Sequence, residues 1–576
     1  MRTVLARRSR RAQLTAVVAV TALLSSCASL PSTSNPHVLR TYNSEAPAAP
    51  VIAPEAGREP DLLLRDFYAA SAIPSSDYEA ARAFMTQQAA RTWDPNVETL
   101  IVDRIGVTTI AGGTGGRRSF SAHGNVVGVL GAGGAFRPER GSYEATIDME
   151  QVGGEWRISS LPPGVVLERT ELRNQYQPLN LYFFDNRGQE LVTDRRWVYS
   201  RRETLPSALI ALLMEGPSQR LQPALSSILP AGAAYLGVED GAYSFSGFGG
   251  VSEEDRGRFA SQVVWTLASA GINGPFRLLA DGAPLLTSAD TLTTDDFADL
   301  SPVVQSAGAS TLYSLTDGSI SLIDAASPTP LNSELSSGNV ASAEITASGG
   351  WVAVFTDGQG TSRLRAGSLD SGGKESFELL EAGTFTRPSL EGKASAVWTV
   401  ADGTRILRSV RSAASGEVTS EEIVAELPEG VSGNISVLRL SRSGARVVMV
   451  IDGHLYTGIV ARRAPGDRAI INVMEYAPDL GGSVVAADWQ PDGSLIVGTS
   501  SSVSPVLRVE QDGSSAAPLS VGNISAPVVA VAASPNMLYV TDANAILQLP
   551  NTGADNPLWR EVPGLQGVRA LPIVAR

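Results

Sequence analysis

Cysteine is nearly absent from this chain: Cys27 is the only one among 576 residues. A lone thiol excludes an internal disulfide and any cysteine-based metal cluster, so pairing says nothing about redox compartment. Histidine is almost as scarce. His37, His123 and His454 fall in different segments, which argues against histidine-based hydrolysis or metal binding, and a lone histidine such as His123 is expected at the surface or in a loop. Basic residues are in deficit, with 45 Lys+Arg against 59 Asp+Glu and a net charge of -14. Such a balance repels phosphate backbones and leaves no basic footprint for DNA or RNA. Also missing are a Gly-x-Ser-x-Gly elbow, a His-Glu-x-x-His pair and a phosphate loop. No catalytic, cofactor-binding or metal site is therefore expected, and no cofactor. The stretches GGTGG and GFGG read as loops.

What is present begins with an address. Arg2, Arg7, Arg8, Arg10 and Arg11 form a cationic start, and the fifteen residues from Ala12 to Ser26 carry no charge. That is the length of a signal-peptide core and too short for a membrane span of roughly 20 residues. Leu24-Ser25-Ser26-Cys27 matches the bacterial lipobox, with small residues abutting the cysteine. The sulfur is the nucleophile that takes the diacylglycerol group, which explains one cysteine at that point. Cleavage after Ser26 would leave Cys27 as the amino terminus, S-diacylglycerylated and N-palmitoylated. Several acyl chains anchor firmly where one binds marginally. The expected location is the extracytoplasmic face of the cell membrane. Ser9-Arg10-Arg11 lacks the aromatic residue usual in a twin-arginine signal, which favours the general secretory route.

Glycine (56) and proline (34) are abundant, and the length suggests three or four domains. Residues 1–26 read as signal peptide and 27–60, rich in Pro, Ala and Ser, as a tether. Residues 61–168 read as an α+β domain. Leu63, Leu64 and Phe67 share a helical face, and a Ser76 to Glu79 capping box starts a second helix. Tyr143, Ala145, Ile147 and Met149 then alternate with polar residues as in a half-solvated strand. Helices followed by a curved antiparallel sheet ending near Gly164 are comparable to the nuclear-transport-factor-like cone.

Residues 169–295 form a second α+β unit. Strands LNLYFFD and ELVTDRRWVY precede a helix with Pro206 in its first turn, an apolar face of Leu209, Leu212 and Leu213, and a stop at Gly216-Pro217. A later helix has a Ser252 to Asp255 capping box, Phe259, Val263 and Leu267 inward, and Gly271 at its end. The order LYFFD, ALLMEGPS, LP-AG, QVVWTLASAG, LLADGAPL resembles the GerMN family of sporulation and germination domains. In that family the run matching Glu215-Gly216-Pro217 closes the first helix, which implies packing rather than catalysis.

Beyond residue 290 helical periodicity fades. Asp-Gly pairs recur at 317, 357, 402, 452 and 492, in steps of 40, 45, 50 and 40, with another at 512. Asp-Gly between apolar runs is a hairpin signal, because both turn residues must tolerate positive φ. Repetition at this period with about four short strands per unit predicts a β-propeller over 300–576. Five units are visible near 340–380, 387–425, 433–475, 483–520 and 526–555. A sixth, begun by TLYSLTDGSISLID, would be completed by the tail GVRALPIVAR, closing the ring and removing two sheet edges. The acids at these pairs are too sparse for a calcium loop.

Lipobox, tether, α+β domain, GerMN-like domain and propeller, with segments ARAFMTQQAARTWDP, LLMEGPS and QVVWTLASAG, together resemble the LpqB family of actinobacterial lipoproteins. The resemblance covers essentially the whole chain. It implies a non-enzymatic, lipid-anchored envelope protein that binds the extracellular part of the sensor kinase MtrB and modulates the MtrAB two-component system in cell-wall homeostasis and division. An alternative is a lipoprotein that binds cell-wall glycan or lipid during envelope assembly. An enzyme of unrecognised type would need converging buried carboxylates or a nucleophile with a base.

Overall fold

The computed structural model describes residues 52–576 apart from 113–114, 227, 303–309, 325–326, 332–333, 371–375, 393–395, 465, 521 and 552–557. The signal peptide, Cys27 and most of the tether lie outside the described residues. No described helix is long and apolar enough to cross a membrane. Residues 53–576 form one compact unit.

The first domain opens on helix Pro60–Ala70, whose Leu63, Leu64 and Phe67 are buried as the spacing requires. Its second helix, Ser75–Arg82, does not start with the expected capping box. Ser76, Asp77 and Tyr78 all adopt positive φ, and no side chain caps the helix. Arg82 holds the Asp77 carbonyl at 2.8 Å and its carboxylate at 3.0 Å, and the Tyr78 ring packs edge-on to Trp93. These contacts fix a left-handed turn that local capping would oppose. A third helix, Gln87–Thr92, is separate because Met85 bridges Ile158. The Phe84 carbonyl accepts from Ile158 N and the Thr86 N–H donates back to Ile158 O, which interrupts the helix, and Thr86 Oγ1 then caps the next one.

These helices lie on a six-stranded sheet in the order Glu155–Ser160, Phe136–Val152, Arg117–Leu130, Thr99–Val102, Val165–Glu168, with Gly106–Ile110 also paired to Arg117–Leu130. Ala145, Ile147 and Met149 face inward as the alternation predicts. The sheet is not wholly antiparallel, and it continues past Gly164. Val165–Glu168 runs parallel to Thr99–Val102, so the strand following the Leu161-Pro162-Pro163-Gly164 turn enters the core.

In the second domain the hairpin Gln177–Phe184/Leu191–Val198 carries helix Glu253–Ser269 on one side. Thr266 Oγ1 accepts from Tyr182 N and Gln262 donates to Tyr182 O, which ties the helix to the strand. Ser252 caps this helix through Asp255 N at 3.1 Å, and Phe259, Val263 and Leu267 are buried. Helix Leu205–Glu215 ends at Gly216, whose φ of +95° ordinary residues avoid. A four-stranded sheet, Ala283–Pro284, Arg277–Ala280, Ala242–Ser246, Ala234–Glu239, completes the unit.

The carboxy-terminal half is a six-bladed propeller among the described residues. Blades two to six begin with inner strands Val340–Ile345, Ser389–Glu391, Ile435–Leu440, Val484–Trp489 and Ala530–Ala533, each followed outward by three more, and in blade four Val424–Ala425 adds a fifth, parallel strand at the outer edge. In blade one the inner strand is the last of the chain, Leu571–Val574, paired antiparallel to Leu312–Thr316. This pairing of both ends of the domain closes the ring.

The Asp-Gly turns divide into two kinds. Asp317-Gly318, Asp402-Gly403 and Asp452-Gly453 have positive φ at both residues. At 357, 492 and 512 only the glycine does, and the aspartate accepts a main-chain N–H two residues on, from Gln359, Ser494 and Ser514. The turns at 317, 357, 402 and 452 all join the second and third strands of their blades. Those at 492 and 512 join first to second and third to fourth. The final step of 40 residues therefore measures a different turn, on the opposite end of the ring, and not a blade repeat.

Candidate functional site

Two polar assemblies stand out from the apolar cores. One plugs the propeller axis. Glu344, Arg439 and Asp488 occupy matching next-to-last positions on the inner strands of blades two, four and five, and Arg387 and Arg576 reach in from blades three and one. Arg439 pairs with Glu344 at 2.5 Å and with Asp488 at 3.3 Å. Asp488 also meets Arg576 at 2.5 Å and Arg387 at 3.8 Å, and accepts from Trp489 N. Burial pushes the Asp488 carboxyl up, but Arg576, Arg439 and Arg387 overrule it and hold it well below the usual carboxylate range. Burial likewise works against the Arg439 guanidinium, yet Glu344 and Asp488 hold it above its ordinary value. Loss of hydration, then repulsion from Arg439, pulls Arg387 down to about 10. Below the plug the axis is a channel of about 200 Å³ walled by residues such as Val437, Ala486 and Val531.

The second assembly joins the three domains. Five consecutive residues of strand Leu191–Val198, Thr193 to Trp197, make it. The Thr193 carbonyl accepts from Arg446 and its hydroxyl from Gln511, both in the propeller. Asp194 accepts from Arg196 at 2.8 Å and from Ser218 N at 2.7 Å. Arg195 pairs with Glu510 of the propeller. Arg196 also donates to Gly133 O in the first domain and to Gly216 O. Trp197 Nε1 donates to Asp512 at 3.0 Å. The Glu215-Gly216-Pro217 stop thus does more than end a helix, since it presents Gly216 O and Ser218 to a buried ion pair.

Around this strand lie two cavities that share Arg446. One, of about 480 Å³, lies between the second domain and the turns at 441–446 and 489–493. The other, of about 280 Å³, is bounded by all three domains and carries Arg137, Asp194, Arg195, Arg220, Arg446 and Asp512. Arg220 donates to the Tyr476 hydroxyl at 2.6 Å and to Thr457 Oγ1 at 2.8 Å. Burial pulls the Arg446 guanidinium down to about 10.

Of the residues singled out in the sequence, Cys27 and His37 lie outside the described region. His123 is exposed on strand Arg117–Leu130, and His454 pairs its Nδ1 with Glu475 at 2.9 Å. The two histidines are in different domains. The GFGG run at 247–250 is a loop whose Gly247 and Phe248 N–H groups donate to the Asp281 carboxylate. Sequence reasoning passed over Arg439, Asp488, Arg446 and the Thr193–Trp197 strand. A signal for them exists: each is a charged residue set inside an apolar strand run, where a charge must find a partner or a cavity.

Comparison with known proteins gives three family matches that follow the fold. Residues 53–173 match the lipoprotein LpqB N-terminal domain, 180–286 the sporulation and spore germination domain, and 318–575 the lipoprotein LpqB beta-propeller domain. Proteins named lipoprotein LpqB match over nearly their whole length. That of Corynebacterium diphtheriae is 39% identical over 574 residues, covering 98% of this chain and 99% of the relative. The Rhodococcus jostii protein is 37% identical over 578 residues, 97% of each chain. The Mycobacterium tuberculosis protein is 31% identical over 595 residues, covering 98% and 99%.

Proposed function

This chain belongs to the LpqB family of lipoproteins, and we propose that it is a non-enzymatic envelope protein, anchored by acylated Cys27 at the extracytoplasmic face of the cell membrane. In this reading it binds the extracellular part of the sensor kinase MtrB and modulates the MtrAB two-component system in cell-wall homeostasis and division. The observation that carries the reading is the use of the buried charges. Asp194, Arg195, Arg196 and Trp197 are spent on holding three domains together, and the two axial acids are spent on three arginines from other blades. Groups fixed in this way build a rigid composite surface for a partner rather than an acid and base poised over a substrate.

The test is crosslinking in intact membranes followed by purification of the full-length protein. Recovery of MtrB with wild type, and its loss when Cys27→Ser releases the protein from the membrane, is the expected result. Repeated recovery of the anchored protein with no sensor kinase would overturn the reading.

A further inference from the structure

We propose that the three-domain junction is a binding site for a small phosphate monoester, held by Arg446 and Arg220. The proposal is independent of the kinase reading. Four guanidiniums, of Arg137, Arg195, Arg220 and Arg446, line this cavity against two carboxylates, of Asp194 and Asp512. Two of these guanidiniums, of Arg220 and Arg446, are not paired with an acid among the described residues, in a chain whose net charge is -14.

Both carboxylates are already engaged. Asp194 serves Arg196 and Ser218, while Asp512 serves Trp197 and Ser514. Arg195 is paired with Glu510 and Arg137 with Glu139. Arg446 and Arg220 have no carboxylate within ion-pair distance among the described residues, and their side chains donate only to neutral oxygens: the Thr193 carbonyl for Arg446, and Thr457, Asn472 O and the Tyr476 hydroxyl for Arg220. Arg446 is only 6% exposed. A buried guanidinium without a counter-ion is costly, and an oxyanion in the adjoining cavity removes that cost. Burial pulls its pKa down to about 10, and the charges of Asp194 and Asp512 oppose that pull without offsetting it.

The class of ligand follows from charge and size. A phosphate monoester is close to a dianion at neutral pH and matches the two positive charges, and its oxygens suit the forked donors of arginine. A cavity of about 280 Å³ is at the small end of ligand sites, which fits a phosphorylated polyol or monosaccharide and excludes a polymer. The ligand would touch all three domains at once.

The ester group could belong to a soluble metabolite or to a lipid headgroup, and calorimetry on the full-length protein in neutral detergent separates the two. Glycerol 3-phosphate and inorganic phosphate are titrated beside glycerol and phosphatidic acid, a lipid phosphate monoester, dispersed in the same detergent. The expected result is saturable binding of the phosphate compounds, weakened about tenfold or more by Arg446→Gln and by Arg220→Gln. Arg446→Lys, which keeps the charge and loses the fork, should fall between. Melting curves check folding, and Arg137→Gln, at an exposed position, reports on the same site if an Arg446 variant does not fold. No saturation at millimolar phosphate compound, binding unaltered in the variants, or binding to phosphatidic acid alone would each overturn the proposal.

Discussion

Removing the charge of Asp488 tests the physical account of the propeller axis. In Asp488→Asn the side chain keeps its shape and loses its charge, so three guanidiniums, Arg387, Arg439 and Arg576, remain with Glu344 as the only acid of the plug. Asp488 is 1% exposed, so water cannot replace it. Breaking one partner of a buried ion network costs about 3–5 kcal/mol, a large part of the roughly 5–15 kcal/mol that holds a typical native protein together. Urea unfolding followed by tryptophan fluorescence reads the loss, since Trp351, Trp398, Trp489 and Trp559 are buried in the propeller. Adding Arg576→Met should recover part of it, because the uncompensated guanidinium then leaves too. A loss below about 1 kcal/mol would refute the claim that Asp488 carries the plug.

The same carboxylate sets a pH dependence. Its pKa is lowered in the folded state, so its contribution is complete above the unfolded value near 3.9 and disappears as pH falls through the folded value. The arginines stay charged throughout that window. The wild type should therefore lose stability below about pH 4 more steeply than Asp488→Asn does, and parallel curves for the two proteins would remove Asp488 as the cause.

Two further outcomes are expected. Gly318 and Gly358 have φ of +71° and +72°, but a Cβ on Gly318 would lie 2.1 Å from the Gly338 carbonyl oxygen whereas one on Gly358 meets nothing. Gly358→Ala should cost about 1–2 kcal/mol from backbone strain alone, and Gly318→Ala clearly more, as read by urea midpoints. Trp197→Phe removes a donor to the Asp512 carboxylate and should weaken the docking of the second domain on the propeller by about 1.5–3 kcal/mol. It would appear as earlier proteolysis within the junction, with the core of each domain unaffected.

Local chemistry was legible in the sequence wherever it faced no competitor. Ser252 caps its helix, Gly216 stops another, and the tail GVRALPIVAR supplies the missing inner strand. The failures have tertiary causes. Ser76 loses its capping role to Arg82 and Trp93, which hold the first turn left-handed, and the helix break at Met85 comes from a bridge to Ile158, some seventy residues away. Asp492-Gly493 shares the motif of the four preceding turns yet sits at the other end of its blade, because a turn signal names a hairpin and not its rank within a sheet. The charged centres were the least legible. Asp488 draws its partners from strands up to a hundred residues apart, and only closure of the ring brings them to one axis.

The two ends of the propeller consequently do different things. The end bearing the turns at 441–446, 491–493 and 510–515 receives the strand Thr193–Trp197, and the axis is stoppered just beneath it, where Trp489 Nε1 donates to Arg439 O. The plug holds five blades at fixed positions, so the turns that grip the second domain are held at fixed spacing as well. Domain docking and ring closure are one mechanical system: Arg446 begins the strand that follows the inner strand carrying Arg439, and a shift of that inner strand would move both the axial charges and the contact to Thr193. That coupling supplies a physical reason for the three domains to stand together in one chain, since each domain completes hydrogen bonds that another leaves open.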